Sequence, residues 1–275
     1  MIDANKHFRM VIYLVYYGPY DDMFEIFLKQ YKKNWADCPY PLVIANPKYH
    51  PNPEENIITL DVPENAKGIE RKNIILDTIN ADYYLGFEVD RVIMHPVDNT
   101  EIEKILDFMD ENRIRYFRCN PSFFKKKEND KFSGFEHYYH IPAKEPYGVC
   151  GSTIIWSKEL LDERRGSSIE GGYDWESYHL KRAASTKDKW IDGFATDDRN
   201  VFHILHCIEK QEWIRKSKRI LEKEGYNFDE SRKAQTISKT IEANLKGASK
   251  RIPGRIRFVI KKGLTRLGFK FTTKY

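Results

Sequence analysis

The sequence has few cysteines, widely spaced, and lacks any long apolar run. Its four cysteines, Cys38, Cys119, Cys150 and Cys207, include no Cys-x-x-Cys pair, so we expect neither a disulfide framework nor a zinc knuckle. This cysteine usage is typical of a reducing compartment, and we expect the protein in the cytoplasm. The longest apolar run, Met10–Tyr17, is much shorter than the roughly 20 residues that a membrane-spanning helix needs.

The chain also lacks the short signatures of several large enzyme classes. It contains no Gly-x-x-x-x-Gly-Lys-Ser/Thr loop, no Gly-x-Gly-x-x-Gly, no Gly-x-Ser-x-Gly and no His-Glu-x-x-His. Kinases, dinucleotide-dependent oxidoreductases, serine hydrolases and zinc proteases of the usual kinds therefore lose their usual support.

Acidic residues are absent from the last 30 positions. Residues 246–275 hold ten lysines and arginines and no acid, whereas the other 245 residues hold 36 basic and 41 acidic side chains. The formal net charge of +5 thus combines a mildly acidic globular domain, residues 1–245, with a strongly basic tail, residues 246–275. A globular nucleic-acid-binding protein would spread positive charge over its folded face, so we expect no nucleic-acid partner.

The basic tail has an amphipathic pattern. Apolar residues recur at helical spacing from Ile252 to Phe271, and lysines and arginines occupy other positions. This pattern predicts a helix that lies on an anionic membrane surface, which would make the protein peripheral on the inner face of the cell membrane. The alternatives are a helix packed on the acidic domain and a disordered basic tail.

Short apolar segments alternate with helical patterns through the first 120 residues. Met10–Tyr17 is typical of a strand buried on both faces of a sheet, and Asp21–Trp35 has the apolar spacing of an amphipathic helix. This alternation predicts an α/β fold with a mostly parallel, Rossmann-type sheet and helices on both faces. Further strands are predicted at Pro41–Ala45, Asn56–Leu60, Tyr83–Phe87 and Arg115–Cys119, and a further helix at Glu70–Ile79.

The pattern after residue 120 is less regular. Thr100-x-x-Glu103 predicts a capping box that opens the last helix before this region. The polar, aromatic segment Phe123–Pro146 predicts an irregular connection, and Val149–Trp156 predicts a strand. Helices are predicted at Lys158–Arg164, Tyr173–Ala184, His206–Gly225 and Thr236–Lys246.

The acidic pair Glu88 and Asp90 directly follows the apolar strand Tyr83–Phe87. Ligands of open α/β sheets bind outside the carboxyl ends of the strands. Two carboxylates at such a position can share Mg²⁺ or Mn²⁺, which also contacts a diphosphate. The alternative is a solvated loop in which Asp90 pairs with Arg91 or caps a turn.

Seven motifs follow one another between about residues 10 and 230. They are Trp35-Ala-Asp-Cys-Pro-Tyr40, Asp82-Tyr-Tyr-Leu-Gly-Phe-Glu-Val-Asp90, Pro96-Val-Asp98, Arg115-Tyr-Phe-Arg-Cys-Asn-Pro121, Tyr147-Gly-Val-Cys-Gly-Ser-Thr-Ile-Ile-Trp156, Tyr173-Asp-Trp-Glu176 and Ile204-Leu-His-Cys-Ile-Glu-Lys-Gln-Glu-Trp213. Together they resemble the motifs of a family of bacterial GT-A-type glycosyltransferases of capsular and lipopolysaccharide biosynthesis. The resemblance implies an enzyme that moves a sugar from a nucleotide-sugar donor to a saccharide acceptor, and the predicted membrane tail suits a lipid-linked acceptor.

The resemblance also implies roles for the acidic residues. Asp90 falls on the family's aspartate of the metal and diphosphate motif, but Val89 stands where the family has an adjacent acid. Two alternatives follow: Glu88 takes that place in a Mn²⁺ or Mg²⁺ site, or the dependence on a metal is weaker or lost. Glu176 would be the general base of an inverting transfer, with Asp174 as the second choice. The alternative for Glu176 is an acid that stabilises a helix N-terminus.

Other residues are candidates for the metal, the donor and the acceptor. His206 could complete the metal site, although a lone histidine among apolar residues is more often part of the core. An aromatic and glycine loop suits the donor base and ribose, and cations suit its diphosphate. The donor candidates are Tyr17, Gly18, Tyr20, Arg71, Lys72 and Arg118, and the acceptor candidates are Ser152 and Trp156.

Two rival functions stay open at this point. Gln211 and Glu212 replace the glycine and lysine that the family has before Trp213, and this departure, with Val89, keeps open a non-catalytic binding module of a polysaccharide assembly. A nucleotidyltransferase, which would release pyrophosphate from a nucleoside triphosphate, is the third possibility.

Overall fold

A computed structural model describes most of the chain before residue 242. The described residues are 6–15, 20–46, 49–52, 55–121, 124, 126–145, 148–151, 153–165, 172–228 and 232–241. The chain divides into two compact units, Met1–His206 and Cys207–Tyr275. The predicted basic tail, and the boundary expected between residues 245 and 246, lie outside the described residues.

The first unit alternates strands and helices, as the sequence predicts. Its strands are β1 His7–Val15, β2 Leu42–Ile44, β3 Ile57–Thr59, β4 Asn80–Glu88, β5 Arg91–Ile93, β6 Tyr116–Arg118, β7 Tyr138–Pro142, β8 Ile154–Ser157, β9 Trp190–Asp197 and β10 Ile204–His206. Its α-helices are α1 Asp21–Asn34, α2 Gly68–Thr78, α3 Asn99–Glu111, α4 Lys158–Arg165 and α5 Gly172–Ser185.

Eight of these strands form one mixed sheet in the order β3-β2-β1-β4-β8-β6-β9-β7. The pairs β3–β2, β2–β1, β1–β4 and β6–β9 are parallel, whereas β4–β8, β8–β6 and β9–β7 are antiparallel. The predicted α/β fold with a mostly parallel sheet is therefore confirmed. Strands β5 and β10 form a separate antiparallel pair.

Helices cover both faces of the sheet. Side chains alternate along a strand, so Val11 and Tyr13 of β1 point to one face and Leu14 to the other. The first face packs in one hydrophobic cluster with α2, α4 and α5. On the other face, α1 and α3 pack through aromatic rings. The ring centroids of Phe27 in α1 and Phe87 in β4 are 6.1 Å apart, and those of Phe108 in α3 and Phe117 in β6 are 5.9 Å apart.

The strand ends that carry polar residues meet at one edge of the sheet. β4 ends at Glu88, and Gly86 of β4 pairs with Ile154 of β8, which pairs in turn with Arg118 at the end of β6. Antiparallel β8 therefore begins at this edge, where the parallel strands end. We call it the carboxyl edge and place at it Glu88, Gly151, Arg118 and Asp197.

Two local expectations about the first unit are wrong. The cap of α3 is Asp98, whose carboxylate accepts the backbone N–H of Thr100 at 2.8 Å, so the predicted Thr100–Glu103 capping box does not open the helix. The segment Phe123–Pro146, predicted to be irregular, contains β7. The predicted sheet also lacked β9, which pairs with β6 and β7.

The second unit begins with a small hairpin and not with a helix. His206 still belongs to β10, and the chain then forms β11 (Ile208–Glu209) and β12 (Glu212–Trp213) before α6 (Arg215–Lys223). The predicted helix over His206–Gly225 is therefore correct only for its second half. Residues 237–241 form a further helical segment. Among the described residues, no helix combines the length and apolar character needed to cross a bilayer.

Candidate functional site

Glu88 ends β4 and is held by an arginine from the next strand. Arg91 Nε donates a hydrogen bond of 2.5 Å to Glu88 Oε2, and this ion pair bridges the turn Val89–Asp90. Val89 is buried, so an acid at that position would lose its water. This burial gives a physical reason for an apolar side chain at position 89.

Asp90 lies beside His206 because two strands are paired there. In the β5–β10 pair, His206 is opposite Arg91, and His206 Nε2 is 3.5 Å from Asp90 Oδ2. The structure thus brings together two residues that are more than 100 positions apart in the sequence. Asp90 lies just after β4, at the carboxyl edge, and His206 is the last residue of β10.

Glu176 approaches the same edge from α5. The backbone N–H of Gly151, just before β8, donates to Glu176 Oε1 at 3.3 Å. Although Glu176 is exposed as a residue, partial removal of its carboxylate from water raises its pKa above the usual value. The charge of Glu88 also raises this pKa, whereas the Gly151 hydrogen bond and the charges of Arg118 and Arg91 lower it.

Arg118 contributes a buried positive charge at the end of β6. It is 4% exposed, and its Nη1 donates to the carbonyl oxygen of Gly148 at 3.2 Å. Burial and this hydrogen bond hold the guanidinium in one position. From there its positive charge lowers the pKa of Glu176. Glu88, Arg91, Arg118 and Glu176 therefore form one electrostatic cluster.

The cluster does not form the predicted three-ligand metal site. Over the part of the chain that the structure describes, no three side chains among histidine, cysteine, aspartate and glutamate are grouped to hold a metal ion. The reason is visible at Glu88, whose carboxylate is bound by Arg91 while Asp90 faces His206. The expected Mn²⁺ or Mg²⁺ site of Glu88, Asp90 and His206 thus does not fit this arrangement.

Arg71 holds the fold together where a diphosphate contact was expected. Its guanidinium donates to the carbonyl oxygens of Ala45, Glu64 and Ala66 at 2.6, 3.0 and 2.9 Å. Arg71 is buried, as is the neighbouring Lys72. These bonds tie the start of α2 to the chain after β2, so the donor role predicted for this pair is not supported by their positions.

Trp156 is a core residue and not part of an open acceptor pocket. It is 1% exposed in the middle of β8, with its ring 5.0 Å from Tyr116. The guanidinium of Arg164 lies between Trp156 and Trp175, at 4.5 and 4.4 Å from the two ring centroids. Trp156 was predicted to lie near the acceptor, and its burial under α4 and α5 does not support a direct contact of its side chain with an acceptor.

The remaining predicted site residues are only partly described. Tyr20 is partly buried and caps the start of α1 without a side-chain cap bond. Tyr17, Gly18 and Ser152 lie outside the described residues, as does the side chain of Asp174. Arg91 was predicted only as a partner of Asp90, and the Gly151 N–H was not predicted at all. The three-residue spacing of Glu88 and Arg91 could have indicated their ion pair. The Gly151 contact could not be predicted in this way, because a backbone N–H leaves no mark in the sequence.

No family model matches the chain, and no curated protein matches it. Among solved structures, the chain is similar to residues 1–349 of S. aureus TarS, with 12% identity over 70% of this chain and 58% of that one and a TM-score of 0.42. For TarS 1–349 in complex with UDP-GlcNAc, the identity is 12% over 72% of this chain and 60% of that one, with a TM-score of 0.40. For the 2-C-methyl-D-erythritol 4-phosphate cytidylyltransferase of Thermus thermophilus, the identity is 10% over 73% of this chain and 93% of that one, with a TM-score of 0.41.

The chain thus spans less than two thirds of the length of the TarS structures. At these identities and TM-scores, the likeness assigns neither an activity nor a substrate to this chain.

Proposed function

We propose that this protein is a glycosyltransferase that moves a sugar from a nucleotide-sugar donor to a saccharide acceptor. The observation that carries the proposal is the cluster of Glu88, Arg91, Arg118 and Glu176 at the carboxyl edge of the sheet. This edge is where open α/β sheets bind their ligands. The ordered motifs that contain Asp90, Arg118 and Glu176 support the same reaction class.

Glu176 is the proposed general base. Its raised pKa makes its carboxylate a stronger proton acceptor than an ordinary glutamate. The Gly151 N–H binds one carboxylate oxygen and leaves the other to accept the proton of an acceptor hydroxyl. That hydroxyl oxygen forms the new bond to the anomeric carbon as the bond from this carbon to the diphosphate oxygen breaks, which inverts the anomeric centre.

Arg91 and Arg118 supply positive charge beside the proposed leaving group. Both guanidinium groups lower the pKa of Glu176, which places their charges within electrostatic range of its carboxylate. A nucleoside diphosphate gains negative charge as the sugar leaves, and preorganised cations stabilise that charge. Asp90, at the turn between β4 and β5, is proposed to position the donor.

The direct experiment measures sugar transfer by Glu176→Gln and Asp90→Asn. We expect Glu176→Gln to lower the rate by about 100-fold or more, because loss of a general base typically costs 10²–10⁴-fold. Asp90→Asn is expected to weaken donor binding. Glu25→Gln on the exposed side of α1 is the matched control and should transfer sugar at the normal rate.

The rival functions give different outcomes in the same assay. Full transfer by both variants would refute the assigned roles. Donor binding by the unmodified protein without transfer to any acceptor would favour the binding module. Release of pyrophosphate from a nucleoside triphosphate would identify a nucleotidyltransferase. UDP-GlcNAc, bound in one of the similar structures, is the first donor to test.

The acceptor is proposed to be a lipid-linked saccharide of bacterial surface polysaccharide synthesis, such as capsule or lipopolysaccharide. The sequence supports this through the basic, apolar pattern of residues 246–275, which would keep the enzyme at the membrane where such an acceptor is located. Transfer to a water-soluble saccharide with no gain from a lipid-linked one would contradict it.

A further inference from the structure

The second unit has an open groove that combines positive charge with apolar side chains. It lies between α6 and the helical segment 237–241 and has a volume of about 510 Å³. Within the described part of this unit, no carboxylate lines the groove. Four cations contribute to its walls: Arg215, Lys216, Arg219 and Lys223.

Helical spacing places these cations along one side of α6. Arg215, Arg219 and Lys223 are each four positions apart, so they follow one another along the same face. The ion pair recorded within α6 joins Lys218 to Glu222 at 4.0 Å, and neither residue lines the groove. Over the described residues, the positive charge of the groove is thus not neutralised by a carboxylate in its own wall.

Two isoleucines on the opposite wall are unusually exposed. Ile237 is 65% exposed and Ile241 is 48% exposed, more than the other large exposed apolar side chains of the described residues, Tyr178 and Leu180. The two are four positions apart and share one face of the helical segment. Apolar side chains grouped beside cations are typical of a binding surface.

We propose that this groove docks on an anionic phospholipid surface, with its cations at the lipid phosphates and Ile237 and Ile241 inserted among the headgroups. The charge is complementary to such a surface, and the isoleucines match its apolar boundary. A polyphosphate or a nucleic acid would use the cations alone. The sequence that follows also favours lipid, because residues 246–275 again combine ten basic residues, no acid and regularly spaced apolar residues.

The proposal concerns residues 215–241 and adds a membrane contact to the one predicted for the tail. It does not depend on the sugar-transfer chemistry, because none of its residues belongs to the cluster at the carboxyl edge. A failure of one proposal therefore leaves the other standing.

Vesicle binding by the full chain tests the proposal. Co-sedimentation is measured with vesicles of phosphatidylglycerol and phosphatidylcholine, and with phosphatidylcholine alone. Each cation near an anionic surface contributes about fivefold to affinity, so reversing two of them in Arg219→Glu/Lys223→Glu should lower the affinity at least about tenfold. Ile237→Ser/Ile241→Ser should lower it about fivefold or more, because both apolar tips are lost.

Two controls change similar side chains in the first unit. Lys187→Glu alters an exposed charge and Leu180→Ser an exposed apolar side chain, and both should bind vesicles like the unmodified protein. An unchanged thermal melting temperature checks that each variant folds. If both groove variants bind as tightly as the controls, the proposal is overturned.

A nucleic acid partner would give a different pattern. A single-stranded oligonucleotide would then bind more tightly than the anionic vesicles, the charge reversals would weaken that binding, and the isoleucine changes would leave it unaltered. That result would also overturn the proposal. Loss of vesicle binding in both groove variants, with their melting temperatures unchanged and both control variants binding normally, would support it.

Discussion

The chemistry proposed for Glu176 depends on the charges that surround its carboxylate. Partial loss of hydration is the largest cause of its raised pKa, and the charge of Glu88 raises the pKa further. The Gly151 N–H, Arg118 and Arg91 lower it. A base in this environment sets the acid limb of the pH–rate profile, because the protonated form cannot accept the acceptor's proton. We expect that limb above the pH at which an ordinary glutamate titrates.

Glu88→Gln should move this acid limb to lower pH. The substitution removes a negative charge that raises the pKa of Glu176, and it releases Arg91, whose positive charge lowers that pKa. The measurement is the pH dependence of kcat/KM, with Glu25→Gln as the control. A limb that stays in place or moves to higher pH would contradict the electrostatic coupling of the two glutamates.

His179 provides a separate pH effect, on stability. It is 5% exposed beside Trp175 and Phe194, and neither ring nitrogen has a hydrogen-bond partner among the described residues. Burial, with smaller effects of Arg182 and Arg164, lowers its pKa from 6.5 to about 4. The folded protein therefore keeps this imidazole neutral at a pH at which the unfolded chain binds a proton.

The free energy of unfolding should fall as the pH decreases from about 6.5 to about 4, with a slope approaching 1.4 kcal/mol per pH unit from this group. This contribution is fully present above pH 6.5 and is lost as the pH falls towards the folded-state pKa. His179→Phe should remove that part of the dependence, as measured by urea unfolding at several pH values. The exposed His50→Phe is the control, and identical slopes for both variants would contradict the assignment.

Among the secondary-structure elements, β4 carries the clearest packing constraint. Gly86 lies next to Tyr13 of β1 in the sheet, and a Cβ atom at Gly86 would lie 2.6 Å from the Tyr13 hydroxyl oxygen. Because Tyr13 is buried, its ring cannot move into water to make room. A strand that ends in the proposed site thus depends on a glycine for close contact with its neighbour.

Gly86→Ala should lower the free energy of unfolding by about 1–3 kcal/mol, the usual cost of overpacking a core. Asn80→Ala, at an exposed position of the same strand, should change it by less than about 0.5 kcal/mol. Urea unfolding measures both. Equal stability of Gly86→Ala and the unmodified protein would show that Tyr13 is not confined as described.

The elements with strong hydrophobic patterns were predictable from the sequence. β1 contains a continuous apolar run buried on both faces, and α1 buries apolar residues at helical spacing, so both patterns are visible in the sequence. The hairpin β11–β12 was missed for a local reason: its turn residues, Lys210 and Gln211, both have positive φ angles, 51° and 66°. Such a turn usually contains glycine or asparagine, and their absence removed the signal.

The site was predictable only as far as strand ends reveal it. Glu88, Asp90 and Arg118 follow or end strands that the sequence predicts, so their shared edge follows from the parallel topology. The burial of Trp156 depends on where α4 and α5 pack, and the contacts of Arg71 depend on the path of the loops that carry Ala45, Glu64 and Ala66. Single positions in a sequence carry no information on such contacts, so neither was predicted.

For the molecule as a whole, the main question is whether the carboxyl edge binds a nucleotide sugar. Thermal unfolding of the full chain with a panel of nucleoside diphosphate sugars, each with and without Mn²⁺, measures this directly, because a ligand that binds only the folded state raises the melting temperature.

We expect at least one nucleotide sugar to raise the melting temperature of the unmodified protein, and to raise it less for Asp90→Asn and Arg118→Ala, while Glu25→Gln responds fully. A panel in which no nucleotide sugar changes the melting temperature, or in which both site variants respond like the unmodified protein, would contradict the account.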